Sequence, residues 1–237
     1  MRVMKRLKYL IRRYLKCFGI DIYPVDFRNS VQSYLEYLFN VRGVECVVDI
    51  GANEGQYADM LLNIGFRGQI ISYEPLDKPW SLLEKKAARH PNWVAAPRAA
   101  VTDSHEASVT IFETDNSVSS SVLAPLQSAE FSTMREACCP AININSVLQK
   151  YKQCQLLKLD VQGFEANLLR GIDDEASYYP KFLQLELAVR ASYENEPLFE
   201  SVDTILKAMG YELIFIFPGV VDDFGRVIQL ECFYEKM

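Results

Sequence analysis

The chain has 237 residues, of which 49% are hydrophobic and 24% are charged. This length and composition predict a soluble globular protein with one main domain, large enough to bury a core without disulfides or structural metals. The formal net charge of −6 argues against nucleic-acid binding, which depends on a basic surface.

The cysteines and histidines of the chain do not suit a zinc site. None of the six cysteines forms a Cys-x-x-Cys pair, and His90 and His105 are the only histidines. Cys46 and Cys154 lie within apolar runs and are expected in the core. Thiols of this kind favour the reducing cytoplasm as the compartment, and we predict no metal site.

The first 18 residues combine an apolar stripe with seven basic residues and no acid. The basic residues leave a formal charge of −13 on the rest of the chain, and they are Arg2, Lys5, Arg6, Lys8, Arg12, Arg13 and Lys16. The helical spacing of the apolar residues predicts an amphipathic helix that ends at Gly19. Two interpretations stay open: the helix packs on the domain, or it contacts an anionic membrane surface or a lipid-linked substrate.

Further along, the pattern predicts a helix over residues 31–39 and, from Gly43 onward, alternating strands and helices. We expect strands at Val44–Ile50, Gln69–Tyr73, Trp93–Ala96, Ser108–Phe112, Leu156–Asp160, Phe182–Leu187, Tyr211–Phe217 and Val227–Tyr234. We expect helices at Tyr57–Ile64, Leu76–Arg89, Glu165–Leu169 and Pro197–Met209. Residues 115–140 include a Ser-rich stretch and are expected to form a loop.

This alternation predicts a doubly wound α/β fold, which is a mostly parallel sheet with helices on both faces. Residues 218–226 join the last two strands and are too few for a crossover helix, so we expect the last strand to be antiparallel. We divide the chain into an N-terminal helical segment, residues 1–43, and a main domain, residues 44–237.

The first chemical motif is VVDIGANEG, in which an apolar strand ends in an acid and enters a glycine turn. Gly51 lets the backbone pass close to a ligand, and Gly55 opens the following helix. The turn lacks the second glycine of the dinucleotide fingerprint and the lysine of a P-loop. With Asp49 and Glu54 beside it, the turn suits a cationic group such as the methionine end of S-adenosylmethionine. A βα turn without a ligand is the alternative.

The second motif is Glu74 at the end of IISYEP, nineteen residues beyond Gly55. An acid at this place can accept hydrogen bonds from both ribose hydroxyls of a nucleotide cofactor. Proteins that bind nicotinamide cofactors use the same arrangement, and a helix-capping acid before Pro75 is a further alternative. We expect Asp103, just after the third strand, to face the adenine.

The third motif is LLKLDVQGFE, in which Asp160 ends an apolar strand and Gly163 allows a close turn. Lys158 lies two residues earlier and points to the same side of the strand. Glu186 lies inside the apolar run FLQLEL, and a buried acid needs a partner or a function. We expect these three side chains at the catalytic end of the site, where a carboxylate orients or deprotonates an acceptor hydroxyl. An ordinary acid at a strand end is the alternative for Asp160.

Taken together, the chain resembles the FkbM family of methyltransferases. The stretches that carry the resemblance span roughly residues 44–237 in the family's order, and they are VVDIGANEGQY, IISYEP, NSVSSSVL, LLKLDVQGFEANLLRG, LQLEL, SYENEPLF and PGVVDDFGRVIQ. The resemblance implies a seven-stranded class I methyltransferase fold, S-adenosylmethionine as donor, and an oxygen acceptor, often on a sugar or polyketide-type product. Bacterial relatives commonly accompany polysaccharide assembly. The family often has Glu where Gln162 stands and a small residue where Phe164 stands.

These features predict an S-adenosylmethionine-dependent O-methyltransferase that acts on a small-molecule or glycan acceptor. The candidate cofactor-binding residues are Asp49, Gly51, Ala52, Asn53, Gly55, Tyr57, Glu74, Pro75 and Asp103. No residue spacing requires a divalent metal beside the acceptor-side carboxylates. The alternatives are a nicotinamide-dependent oxidoreductase and a non-catalytic cofactor-binding protein of the same fold.

If residues 1–18 attach the protein to membranes, the intact chain will sediment with anionic vesicles and a chain lacking these residues will not. Each Lys or Arg near an anionic surface contributes about 1 kcal/mol. Salt will weaken the attachment, because exposed charges are screened within about 10 Å at 0.1 M. The truncated chain should keep nearly the same melting temperature. A large fall in that temperature, with no vesicle binding by the intact protein, would show that the helix packs on the domain.

Overall fold

The computed structural model describes residues 26–115, 117–126, 134–173 and 178–237, together with residues 11, 14, 15, 17 and 18. Most of the basic amphipathic helix predicted over residues 1–18 therefore lies outside the described residues, so the prediction of this helix is not tested. Three described members of its apolar stripe, Ile11, Tyr14 and Phe18, are exposed. Within the described ranges, no helix combines the length and apolar character needed to cross a membrane.

Seven strands form the main sheet, and their spatial order is β3-β2-β1-β7-β8-β10-β9. The strands are β1 Cys46–Ile50, β2 Gln69–Tyr73, β3 Trp93–Ala95, β7 Leu156–Leu159, β8 Phe182–Ala188, β9 Tyr211–Pro218 and β10 Gln229–Lys236. Every paired strand is parallel except β10, which runs antiparallel to both of its neighbours. The predicted doubly wound, mostly parallel fold with an antiparallel last strand is confirmed.

Helices cover both faces of this sheet. They are α1 Val31–Asn40, α2 Gln56–Asn63, α3 Asp77–Ala87, α4 Ile144–Lys150, α5 Glu165–Arg170 and α6 Phe199–Ala208. Val47 and Val48 belong to two different buried clusters, since neighbouring strand residues point to opposite faces. One cluster contains buried residues of α1, α2 and α3, and the other contains those of α4, α5 and α6.

The first described helix, α1, packs on the sheet of the main domain. Ser30 begins it with a side-chain oxygen that accepts a hydrogen bond from the backbone N–H of Ser33. Leu35 and Leu38 are fully buried. The ring of Tyr34 stacks on that of Phe215 in β9, with centroids 4.7 Å apart. Residues 31–40 thus share the core formed by the strands that follow them.

A second, smaller sheet departs from the sequence prediction. It consists of β4 Ala100–Thr102, β5 Ser108–Thr114 and β6 Met134–Asn143, in the order β4-β6-β5. The prediction of a loop over residues 115–140 is wrong beyond residue 133, and β4 and α4 were not predicted. Strand β6 lacks a recognisable pattern because it contains Pro140 and buries only Cys139 between residues 135 and 140.

Candidate functional site

A cavity of about 630 Å³ opens at the carboxyl ends of the parallel strands. In open α/β sheets this is the place where ligands bind, and the volume is in the range of small-molecule sites. Four segments supply most of its wall: the turn after β1, residues 73–76 at the end of β2, the serine segment 117–121, and residues 158–164 at the end of β7.

Gly51 is required by the close approach of two strand ends. Its φ is +83°, and a Cβ atom on it would lie 1.9 Å from the carbonyl oxygen of Asp160. Ala52 and Asn53 follow and line the cavity. The backbone of Asn53 is left-handed, with φ 47°, and its side-chain amide donates a hydrogen bond of 3.1 Å to the hydroxyl of Ser117. The turn therefore presents backbone and small side chains to a ligand.

Gly55 has a packing function instead of the predicted ligand contact. It precedes α2 with φ 84°. A Cβ atom there would lie 2.7 Å from ring carbons of Trp93, and Gly55 is not part of the cavity wall. The glycine is needed because Trp93 of β3 fills the space behind the turn.

Asp49 also lies behind the cavity wall, where it pairs with Lys158. It is fully buried, and its Oδ1 lies 3.2 Å from the ammonium of Lys158. Ser72 donates a hydrogen bond of 3.4 Å to the other oxygen. Complete burial raises the pKa of Asp49, while the charge of Lys158 opposes the shift. The negative charge that we assigned to a cationic ligand is thus matched by a lysine within the protein.

Glu74 occupies the place predicted for the ribose acid. It lines the cavity and is 5% exposed. One carboxylate oxygen accepts a hydrogen bond of 2.8 Å from the N–H of Asn53, and the other accepts one of 2.9 Å from the N–H of Leu76. Burial raises the pKa of Glu74 to about 7. Pro75 lines the cavity beside it, and its carbonyl oxygen accepts a hydrogen bond from Arg98.

Asp103 does not face the cavity, contrary to the prediction. Asp103 is exposed and follows β4 in the smaller sheet. It packs against Gly171, where an added Cβ atom would lie only 2.6 Å from the Cβ of Asp103. The prediction counted Asp103 from the third strand, but the short strand β4, Ala100–Thr102, lies between them. The cavity wall is formed here by apolar side chains, which include Ala100, Val101 and Ile111.

The structure brings the three predicted catalytic side chains together around one glutamine. The ammonium of Lys158 lies 3.1 Å from Oδ2 of Asp160. The side-chain nitrogen of Gln162 donates hydrogen bonds to Oδ1 of Asp160, at 2.8 Å, and to Oε2 of Glu186, at 3.2 Å. Burial, with the charges of Asp160 and Glu231, raises the pKa of Glu186 to about 7.

Glu231 and Tyr57 complete the buried polar network. Glu231 of β10 lies opposite Glu186 in the sheet, and burial raises its pKa to about 7. Gln184 links Tyr57 to Glu231: it accepts a hydrogen bond from the Tyr57 hydroxyl, at 2.5 Å, and donates one to Glu231, at 2.6 Å. Tyr57 lines the cavity, and the centroid of its ring lies 5.0 Å from the ammonium of Lys158. In the described part of the chain, no three His, Cys, Asp or Glu residues are grouped to hold a metal ion.

Burial alone would lower the pKa of Lys158, but three acids raise it above its usual value. They are Asp160, Asp49 and Glu231. The ammonium of Lys158 is therefore favoured by the acids around it and stabilises them in turn. The raised pKa disfavours Lys158 as a general base and favours it as a charged partner of the acids.

The serine segment closes the cavity from the side of the smaller sheet. Ser117, Ser119, Ser120 and Ser121 belong to the cavity wall. The hydroxyl of Ser121 donates a hydrogen bond of 2.6 Å to the carbonyl oxygen of Gln162. The hydroxyl of Tyr193 lies 2.8 Å from the carbonyl oxygen of Ser119. The serine segment therefore contacts both the turn after β1, through Ser117, and the turn after β7, through Ser121.

The strand order and the place of the cavity define a class I methyltransferase fold. The family profile described as Methyltransferase FkbM domain matches residues 49–213, and the chain belongs to this family. The match covers every residue that lines the cavity except Val220 and Gln229. No curated protein sequence matches the chain.

Several solved structures are similar to this one at low sequence identity. A TehB-like SAM-dependent methyltransferase from Corynebacterium glutamicum is 13% identical, with all of both chains covered and a TM-score of 0.44. Aeropyrum pernix fibrillarin with bound S-adenosyl-L-methionine is 14% identical, covering 86% of this chain and 72% of its own, with a TM-score of 0.45. Streptococcus pneumoniae Sp1610, a putative tRNA (m1A22) methyltransferase in complex with S-adenosyl-L-methionine, is 10% identical, with coverages of 86% and 71% and a TM-score of 0.49.

The buried acids predict that the protein loses stability as the pH rises from about 5 towards neutrality. The pKa values of Glu74, Glu186 and Glu231 are raised from 4.5 to about 7, so the folded state holds more protons than the unfolded state in that window. The free energy of unfolding should therefore fall by about 1 kcal/mol or more per pH unit between about pH 5 and pH 7. Urea denaturation at several pH values measures the free energy of unfolding.

The control for this prediction is Glu231→Gln, which keeps an acceptor for Gln184 and removes one titrating group. Its unfolding free energy should depend less steeply on pH than that of the wild type. A wild-type profile that is flat or rises over this window would contradict the prediction.

Proposed function

We propose that the protein transfers a methyl group from S-adenosylmethionine to a hydroxyl group of a sugar, polysaccharide precursor or natural product. The observation that supports this most is that one cavity contains two chemically different ends. One end has Glu74 and the turn after β1, and the other has the carboxylates of Asp160 and Glu186. A cofactor at the first end and an acceptor at the second would share this space.

The first end fits an adenosine group. Glu74 uses its carboxylate oxygens to fix the local backbone and still faces the cavity, where its remaining lone pairs can accept hydrogen bonds from ribose hydroxyls. The apolar wall at Ala100 and Ile111 offers a surface for a flat base. Gly51 leaves room for a ligand to approach the backbone. In a nicotinamide site the position of Asn53 would be the second glycine of the fingerprint, which counts against that alternative.

S-adenosylmethionine would supply a methyl group on a positively charged sulfur. The protein's contribution is to hold the acceptor oxygen in line with that methyl group, which is an effect of orientation. A bond forms between the oxygen and the methyl carbon, and the bond from that carbon to sulfur breaks, leaving the neutral thioether. The acceptor's proton passes to a carboxylate, for which Asp160 and Glu186 are the candidates.

The acceptor end favours a neutral hydroxyl over an anionic group. Asp160, Glu186 and Glu231 are grouped around a single ammonium, so a phosphate or carboxylate placed beside them would be repelled. Val220 and Gln229, from the connection between β9 and β10 and from the start of β10, form the outer wall at this end. This connection and the serine segment are the parts of the wall that would contact the rest of the acceptor.

Glu74→Ala should weaken the binding of S-adenosylmethionine by about 1–3 kcal/mol, because the ribose hydroxyls lose a buried acceptor. Isothermal titration calorimetry with S-adenosylmethionine, S-adenosylhomocysteine and NAD measures this, and we expect no NAD binding by either protein. Glu84→Ala, on the exposed side of α3, is the matched control and should bind as the wild type does.

Glu74→Gln separates ligand contact from support of the turn, since it keeps an oxygen for a backbone N–H. It should also bind the cofactor more weakly than the wild type. Normal cofactor binding by both Glu74 variants would show that the cofactor does not use this acid.

Asp160→Asn should lower turnover far more than cofactor affinity, because Asn keeps the shape and loses the basic oxygen. Loss of a general base typically costs about 10²–10⁴ in rate. Methyl transfer from labelled donor to a panel of neutral and anionic sugars measures turnover, and calorimetry measures affinity. Asp103→Asn, outside the cavity, is the control. An equal loss of affinity and rate would instead place Asp160 in the cofactor site.

A further inference from the structure

Gln162 has a backbone conformation that an ordinary residue adopts only under constraint. Its φ is 55°, in the left-handed region that disfavours side chains with a Cβ atom. Gly163 follows with φ 93°, so the chain turns sharply between β7 and α5. A non-glycine residue held in this region is a reason to ask what its side chain does.

Three groups fix the orientation of this glutamine. The carbonyl oxygen of its backbone accepts a hydrogen bond from Ser121. The oxygen of its side-chain amide lies 3.0 Å from the hydroxyl of Tyr193, whose single hydrogen is shared between this oxygen and the carbonyl oxygen of Ser119, at 2.8 Å. The amide nitrogen must therefore point the other way, where it donates one hydrogen to Asp160 and one to Glu186.

The two carboxylates would otherwise oppose each other's ionisation. Both lie within hydrogen-bond distance of the same nitrogen, and two like charges at such close range raise the pKa of one of the pair. The hydrogen bond that Gln162 donates to Glu186 favours the ionised form of Glu186 and opposes the effect of burial. The surrounding charged and titratable groups come from six other places in the fold: Asp49, Glu74, Lys158, Glu165, Tyr193 with Glu196, and Glu231.

We propose that Gln162 is a positioning residue that holds the carboxylates of Asp160 and Glu186 together and favours ionisation of Glu186, with Tyr193 fixing the direction of its amide. This inference rests on the proposed function, in which one of these carboxylates receives the proton of the acceptor. The role requires a donor at position 162, and neither a carboxylate nor an apolar side chain supplies two hydrogens there.

The test is the titration midpoint of Glu186, measured by carbon-detected NMR on protein labelled at the glutamate carboxyl carbons, without cofactor or acceptor. Glu186→Gln identifies the signal. Gln162→Met has a similar length and no donor, and should raise the midpoint by about one pH unit. Gln162→Glu adds a negative charge at the same place and should raise it further. Gln153→Glu adds the same charge on the exposed surface and should leave the midpoint unchanged.

Tyr193→Phe provides a second variant that leaves Gln162 in place. It frees the amide to rotate and should raise the midpoint by less than Gln162→Met does. If Gln162→Met and Tyr193→Phe both titrate as the wild type does, Gln162 is only a structural tie and the proposal fails.

The activity profile tests the same role in catalysis. With an acceptor that the wild type methylates, the acid side of the pH–rate profile of Gln162→Glu should move to higher pH by the shift seen in the NMR titration. An unmoved profile would overturn the positioning role. Failure of the proposed function would look different, because the wild type itself would then fail to bind S-adenosylmethionine in the calorimetric titration, whatever the midpoint of Glu186.

Discussion

The buried ammonium of Lys158 is the charge on which the centre of this sheet depends. Asp49 is fully buried beside it and Asp160 lies at the strand end above it, at 3.2 Å and 3.1 Å. A buried carboxylate without a partner is costly, and removal of one member of a buried pair typically destabilises a protein by about 3–5 kcal/mol. The lysine thus permits an acid in the middle of β1 and a second acid at the cavity, on a strand that is otherwise apolar.

This arrangement also explains which site residues the sequence could reveal. Asp49, Glu74, Asp160 and Glu186 stand out because each interrupts or ends an apolar run, and the structure places three of them in the cavity wall and the fourth just behind it. The sequence pattern could not show that Asp49 is paired within the protein, since the pairing depends on the register of β1 with β7.

The residues that the sequence analysis missed or misplaced depend on contacts between distant segments. Gln162 and Tyr193 are polar residues in polar stretches of the sequence. They are 31 positions apart in the chain, and only the fold brings their side chains within hydrogen-bond distance. Glu231 alternates with apolar residues as the exposed side of a strand would. Gly55 was assigned to a ligand because nothing in the sequence indicates that Trp93 packs behind it. Asp103 was misplaced because the short strand β4 has no distinct pattern.

The serine segment has a consequence for any attempt to alter the specificity of the enzyme. Ser117 bonds to Asn53 in the turn after β1, while Ser121 bonds to the backbone of Gln162 in the turn after β7. Five consecutive residues therefore fasten both halves of the cavity. Exchange of this loop with that of a relative, to accept a new substrate, would alter the turn after β1 at the same time. The two ends of the cavity would therefore change together whenever the serine segment is exchanged.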